Sequence, residues 1–403
     1  MSLIVQKFGG SSVADAERVM NVARIVTDTY KQGNQVVVVV SAQGDTTDDL
    51  IAKAHEISPE PNRRELDMLM VTGEQISISL CAMALQEMGI PAISLLGWQV
   101  RLRTNSEYGS ARIRSLDTER IQQELDQGKV VLVAGFQGVN RRGDMTTLGR
   151  GGSDTTAVAI AAKMHADLCQ IYTDVEGVYT ADPRIIPNAK KLDEITYAEM
   201  LELASMGAQV LHNRSVELAK RYGVELEVLS SYVRKPGTKV KEVVKTMEET
   251  KISGIAKDDK IARLALVGLK DEPGIAFRIF RVLAKEKINV DLILQSIGRD
   301  NTKDISFTLA REDLNRAKAA LEKEQDAIGY EKLTVNDQVS KLSVVGAGMI
   351  NKSGIAVMLF EALAAAQVNI HMISTSEIKI SVLIDASKAE AAMRAVHRKF
   401  FEE

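Results

Sequence analysis

Eight consecutive residues, Gly149, Arg150, Gly151, Gly152, Ser153, Asp154, Thr155 and Thr156, set one guanidinium, one carboxylate and three hydroxyls on a flexible backbone between two apolar runs. Such a set can hold a small charged ligand. Residues 130–136 read as a buried strand and 156–164 as an Ala-rich helix, so the stretch ends at a helix N-terminus, where unpaired N–H groups favour anions. The same residues also suit a Gly-rich turn with Ser153 or Asp154 as the helix cap. A second segment, Lys7, Phe8, Gly9, Gly10, Ser11 and Ser12, closes the first strand and opens a long helix. Its glycines would let backbone approach a phosphate, and Lys7 adds a mobile positive charge; a plain structural turn is the alternative. A third segment, 173–184, carries Thr173, Asp174, Tyr179, Asp182, Pro183 and Arg184. It offers a flat surface, acceptors for ribose hydroxyls and a guanidinium for phosphate, the makings of a nucleotide pocket, or else a solvated loop. Neither a G-x-x-x-x-G-K-[ST] motif nor an H-R-D and D-F-G set occurs, so P-loop and protein-kinase folds are unsupported.

The elements that must position these groups alternate. Strand-like 3–8 is followed by helix-like 13–30 and strand-like 35–41; further strands fall at 92–96, 130–136, 168–173 and 225–229, with helices at 74–88 and 197–207. Alternation predicts an α/β fold with a largely parallel sheet covered by helices on both faces. Ligands in such folds sit beyond the carboxyl ends of the strands. The Gly/Ser/Thr/Asp-rich segments begin there, with Gly9 after Phe8, Gln43 after Ser41 and Asp174 after Thr173, and should share one rim.

Composition turns to charge and small residues over 235–259, which marks a boundary, and an internal repeat follows. Gly274, Ile275 and Ala276 recur as Gly354, Ile355 and Ala356, Phe280 as Phe360, Leu283 and Ala284 as Leu363 and Ala364, and Asn289 as Asn369, all displaced by 80 positions. In the first copy the pattern reads strand 262–269, helix 275–286, strands 290–297 and 304–310, helix 313–326 and a closing strand near 332–335. That is a split βαβ, ferredoxin-like βαββαβ plan. The second copy ends without a closing strand, and an open edge is a liability. Strand-like 251–256 is therefore expected to fill it, interleaving the two copies.

At 403 residues, with 45% apolar and 26% charged content, the chain has room for two or three globular domains. A net charge of −3, a pI near 6.1 and 4% aromatics argue against a nucleic-acid partner. Cys81 and Cys169 lie in apolar stretches and read as buried thiols in a reducing, cytoplasmic setting. The N-terminus has no signal-peptide pattern and the uninterrupted apolar runs are too short to span a bilayer, so no membrane partner is expected. The histidines show no metal-ligand spacing, and no protein metal site is expected.

Beyond these readings, the chain resembles aspartate kinases of the amino-acid-kinase superfamily, the monofunctional kind with two C-terminal ACT domains. The resemblance rests on KFGGSS at Lys7, VVVVSAQGDTTDDL at Val37, TGEQIS at Thr72, VAGFQG at Val133, GRGGSDTTA at Gly149, TDVEGVYTADPR at Thr173 and ISTSEIKISVLI at Ile373. It implies a three-layer α/β/α kinase domain over 1–245, ACT domains over 262–337 and 341–403, the latter completed by 251–257, and ATP with Mg²⁺ carried on the nucleotide. Lys7 would contact the transferring phosphoryl group and Asp154 would orient it. Ser41, Thr47, Glu74, Arg150, Gly151, Gly152, Ser153 and Asp154 would bind L-aspartate. Lys7, Phe8, Gly9, Gly10, Thr173, Asp174, Tyr179, Asp182, Pro183 and Arg184 would bind the nucleotide. Feedback by lysine, threonine or both would act through Asp271, Gly274, Ile275, Ala276, Asp291 and Gln295 on one side and Ile355, Ala356, Asn369, Ile370, Thr375, Ser376 and Glu377 on the other. The resemblance also implies a homo-oligomer joined through ACT domains and allows an internal start at Met247. Two places depart from the family pattern: Ile78, where Asn is usual at or beside that position, and Val100 with Arg101, where small residues are usual.

Physical chemistry fits that reaction. The β-carboxylate of aspartate is already an anion at neutral pH, so its attack needs no general base, and catalysis reduces to positioning and charge stabilisation. A kinase for glutamate, N-acetylglutamate or a nucleoside monophosphate, and a catalytically silent amino-acid sensor, remain alternatives at this stage.

Overall fold

The computed structural model describes residues 1–205, 210–244, 252–296, 301–349 and 354–402. Met247 and Lys251, and residues 206–207 of the expected 197–207 helix, lie outside them. The chain forms two compact units: Met1–Thr180, Lys190–Ser205 and Gln209–Met247 make one, and Ala181–Ala189, Met206–Ala208 and Glu248–Glu403 the other.

The first unit is built on an eight-stranded sheet in the order Glu194–Thr196, Thr238–Lys241, Leu226–Ser230, Leu168–Thr173, Leu3–Phe8, Gln35–Val40, Val130–Ala134, Ala92–Leu95. All neighbours are parallel except Leu226–Ser230 with Thr238–Lys241. Helices cover both faces of the central strands, so those strands can be apolar throughout. Val36, Val37, Val38, Val39 and Val40 are all fully buried. The Ala16–Lys31 helix starts at Asp15, whose carboxylate accepts from the Arg18 N–H, and buries Val19, Val22, Ala23 and Val26 at i, i+3, i+4 and i+7.

Register decides where the chemistry goes. Phe8 lies opposite Val40 and Tyr172, and Val40 opposite Ala134. Four central strands thus end level, and the segments beginning at Gly9, Ser41, Gly135 and Thr173 leave one rim.

A second, four-stranded sheet in this unit has the order Ile113–Ser115, Arg103–Thr104, Gln137–Val139, Met145–Thr147. Its strands have two or three residues each, too short to show a period of two. The helices Arg63–Met70 and Thr72–Glu87 run almost end to end, and Arg63–Glu87 is long and apolar enough by composition to cross a membrane. About half (56%) of its apolar window is buried inside the protein. Buried Asp67 and Glu74 lie along it, as on the core helix of a folded domain.

In the second unit the repeat appears as two antiparallel sheets. The first has the order Val290–Gln295, Thr302–Ala310, Ile261–Lys270, Lys332–Asn336, backed by the helices Ile275–Lys285 and Leu314–Lys323. The second has the order Gly254–Asp258, Val339–Val345, Lys379–Asp385, Ile370–Thr375. Gly254–Asp258 pairs antiparallel with Val339–Val345 at the position that Lys332–Asn336 occupies in the first sheet. It begins at Gly254, and just before it the Ser253 N–H donates to the Val345 carbonyl at 2.8 Å. Each sheet has its own core: Ile279, Leu283 and Phe307 in the first, Leu359, Leu363 and Val396 in the second. Ile261, Leu292, Val339, Met372 and Leu383 form a further apolar cluster between the two sheets.

Candidate active site

Lys7 is the penultimate residue of the central Leu3–Phe8 strand, so its ammonium emerges at the rim. It lies 2.6 Å from Asp154 Oδ1, off the direction of a hydrogen bond, and that buried oxygen has no hydrogen bond of its own. Asp154 sits in the first turn of the Gly152–Met164 helix, which starts four residues earlier than its alanine pattern predicts. The capping reading of Ser153 and Asp154 is therefore corrected. The N-cap is Gly151, with no side-chain cap, and Asp154 faces the lysine instead.

The turn before this helix is held from outside. Gly151 has φ of 67°, and a Cβ there would lie 2.2 Å from His212 Cγ, so only glycine fits. Arg214 donates to the carbonyls of Leu148 at 2.6 Å and Ala111 at 3.2 Å. Asp67, fully buried, accepts from the Gly109 N–H, the Thr147 N–H and the Thr147 hydroxyl. Burial raises the Asp67 pKa above the usual carboxylate range, opposed by these hydrogen bonds. Arg150 between the two turn glycines is exposed and makes no ion pair among the described residues.

Opposite stands Glu74, in the first turn of the Thr72–Glu87 helix. Its Oε1 accepts from the Ala42 N–H at 3.1 Å, while Oε2 is buried with no partner. Burial pushes its pKa up to about 7. Close backbone packing makes room for it. A Cβ on Gly10 would lie 2.6 Å from the Ala42 carbonyl oxygen, and one on Gly73 2.7 Å from the Ala42 Cβ.

These groups line one cavity of about 480 Å³. Of the residues picked from sequence, Lys7, Gly9, Gly10, Ser41, Thr47, Glu74, Arg150, Gly151, Gly152, Ser153 and Asp154 all form its wall. Phe8, Thr173, Asp174, Tyr179, Asp182, Pro183 and Arg184 do not. Phe8 stacks on Tyr172 with ring centroids 4.6 Å apart, beneath the rim. Thr173 ends its strand there and bonds Asp174 at 3.0 Å. Asp182 and Arg184 pair with each other in the second unit.

Sequence reasoning missed Asp67, Phe136, Thr147, His212 and Arg214. Asp67 carried a usable signal, an acid on the stripe of helix that Met70 places inside. The others act through backbone or shape and leave no pattern in spacing.

The Amino acid kinase family pattern matches residues 2–230, and the ACT domain pattern matches 264–325 and 342–400. An aspartokinase of Bacillus sp. (strain MGA3) is 49% identical over 400 residues, 99% of this chain and 97% of the relative. The chain belongs to the aspartokinase family. An aspartate kinase of Pseudomonas putida is 48% identical over 401 residues, 99% of this chain and 98% of the relative. Among solved aspartokinases, E. coli aspartokinase III in complex with aspartate and ADP has a TM-score of 0.86 at 27% identity, covering 99% of this chain and all (100%) of that one.

The regulatory residues expected for an aspartokinase fall on the turns and first helical residues at Gly274 and Gly354 and on or beside the edge strands Val290–Gln295 and Ile370–Thr375. Gly274 and Gly354 are the N-caps of Ile275–Lys285 and Ile355–Ala365, with φ of 90° and 114°. Asp271 pairs with Lys303 at 2.6 Å, and Asp291 with the buried Lys341 of the other sheet. Ile275 and Ile355 are buried and Ala276, Ala356 and Ile370 half-buried, whereas Gln295, Asn369, Thr375, Ser376 and Glu377 are exposed.

Proposed function

We propose that the crevice transfers the γ-phosphoryl group of ATP to the side-chain carboxylate of L-aspartate, giving 4-phospho-L-aspartate and ADP. The observation that carries this reading is one cavity lined by Lys7 against Asp154, by an unpaired Arg150, and by a Glu74 oxygen buried without a partner. Glu74 Oε2 lacks a cation, and the α-ammonium of an amino acid supplies one. Arg150 grips the α-carboxylate through two parallel N–H donors. The β-carboxylate oxygen then attacks the γ-phosphorus while the bond to the β-phosphate oxygen breaks, and the Lys7 ammonium and the N–H groups opening the Gly152–Met164 helix offset the gathering charge. Asp154 keeps Lys7 pointed into the cavity.

Gly9 and Gly10 border the phosphates, and Thr173, Asp174 and Tyr179 of the same unit serve the rest of the nucleotide. Among the described residues no group of three or more His, Cys, Asp or Glu is placed to cage a metal. Mg²⁺ bound to a nucleotide needs only one or two protein carboxylates, and Asp154 is such a group at the cavity. When bound, the ion neutralises charge on the phosphates.

We further read 1–245 as the kinase domain and 262–337 and 341–403 as ACT domains, the last completed by 251–257. Lysine, threonine or both would bind at the Gly274 and Gly354 turns; E. coli aspartokinase III has also been solved in complex with lysine and aspartate, with a TM-score of 0.76 at 27% identity. Exposed Ile293, Leu294 and Ile373 on the edge strands of the two sheets favour a homo-oligomer joined there. The setting is cytoplasmic, at the head of lysine, threonine and methionine biosynthesis.

Trapping the acyl phosphate with hydroxylamine tests the reading. Aspartate with ATP should yield hydroxamate, and glutamate, N-acetylglutamate and a buffer blank should not. Equal yield from glutamate, or none from aspartate, would overturn it. Titrating the same assay with lysine and threonine identifies the effector.

A further inference from the structure

Away from the crevice, the small sheet of the first unit forms one wall of a second cavity, of about 950 Å³. It is lined by Arg101, Arg103, Arg114 and Arg141 and by no aspartate or glutamate, in a chain whose net charge is −3. It shares no lining residue with the crevice. Arg103 lies on a middle strand, with Ser115 beside it on one side and Val139 on the other. Arg114 comes from the neighbouring strand, Arg141 from the turn closed by the Gly143 N–H on the Asn140 carbonyl, and Arg101 from the turn before the sheet.

Charge is only partly answered. Arg101 pairs with Asp117 at 3.0 Å, and Asp117 stands outside this cavity. Arg103 feels Asp117 only at longer range, and Arg114 and Arg141 make no ion pair among the described residues.

The backbone at Arg101 is a second, independent mark. Its φ is +46°, a left-handed conformation that glycine adopts freely and a long side chain resists. The side chain is therefore carried at the cost of some local strain.

We propose that this groove binds a small polyanion carrying two or more phosphate or carboxylate groups. Each guanidinium can take two oxygens in parallel. Four of them around a space of about 950 Å³ suit a ligand larger than a single phosphate. The hydroxyls of Ser106 and Ser115 add donors at the margin.

The test is calorimetric titration of the full-length protein at low ionic strength, without Mg²⁺, using sodium tripolyphosphate, tricarballylate and orthophosphate. Two variants are compared with the parent: Arg103→Gln with Arg141→Gln, and Arg101→Gly. Tripolyphosphate or tricarballylate should bind the parent at least tenfold more tightly than the double variant, with orthophosphate weaker than either. The tighter of the two identifies phosphate or carboxylate as the natural chemistry. Arg101→Gly should weaken binding several-fold without lowering the melting temperature, because glycine relaxes the left-handed turn. Phosphorylation of aspartate by Mg-ATP, with neither tripolyphosphate nor tricarballylate added, should be unchanged in both variants. Equal affinity in parent and variants would mean that polyanions enter only the crevice, and would overturn the proposal. So would dissociation of an oligomer in the variants by sedimentation, which would make the groove a contact between subunits.

Discussion

The crevice and the arginine groove both gather charge, and they do so in opposite ways. In the crevice the charges are of both signs and, Arg150 apart, largely sheltered: Lys7 against Asp154, and Glu74 held by the Ala42 N–H. In the groove they are exposed and of one sign. A buried charge is costly unless a partner arrives, so the crevice is poised for a zwitterion of fixed shape. An exposed guanidinium is solvated and loses little by waiting, so the groove can select by total charge and far less by shape. The lesson is that burial, rather than charge count, makes a site specific.

The largest expected effect breaks the crevice's cationic side. Arg150→Ala leaves the α-carboxylate of bound aspartate unpaired, a loss of about 3 to 5 kcal/mol, and kcat/KM should fall by about two to three decades, read in a coupled ADP assay. Lys7→Ala should instead lower kcat, by about two to three decades, with a smaller change in the KM for aspartate. Near-normal kinetics in either variant would put the crevice on a level with the groove.

Next comes Glu74, where burial has a signature in pH. Its folded pKa of about 7 lies above the ordinary 4.5, so the native state holds a proton that the unfolded chain releases. Stability in the absence of ligand should therefore fall as pH rises through about 4.5 to 7, by on the order of 3 kcal/mol. Glu74→Gln removes that dependence: it should melt several degrees above the parent at pH 8, match it near pH 4.5, and bind aspartate poorly. Aspartate binding to the parent near pH 6.5 should release a proton, seen as a dependence of binding heat on buffer ionisation enthalpy.

Gly151→Ala tests the held turn. A methyl group would collide with His212, and the left-handed backbone adds roughly 1 to 2 kcal/mol, so the KM for aspartate should rise more than kcat falls. Pairing it with His212→Ala should recover part of the loss. The smallest effect is at Gly354→Ala, where φ is 114° but no atom lies within 4 Å. About 1 kcal/mol of stability should go. Kinetics without effector should hold, while the lysine or threonine concentration for half-inhibition should rise.

Much of this was legible from residue order. The valine run 36–40 required a strand covered on both faces, and the residues following Phe8, Ser41 and Thr173 marked the rim. The repeat spaced by 80 positions, with its missing last strand, required a donor from before it, and Gly254–Asp258 occupies that place. The short strands around Arg103 and the roles of His212 and Arg214 were not legible. Two residues cannot show a period, and a side chain that packs on a turn or holds a carbonyl far along the chain leaves no spacing to read.

What the residues determined alone is local: which segments are apolar enough to be covered, where glycine permits a turn, and which charged groups stand at strand ends. Tertiary structure decided which of those groups meet. Lys7 and Asp154 are far apart in the chain, and only strand register together with the start of the Gly152–Met164 helix brings them to 2.6 Å. Burial was decided there too: Glu74 reads as an ordinary acid until packing removes its water and leaves one oxygen without a partner.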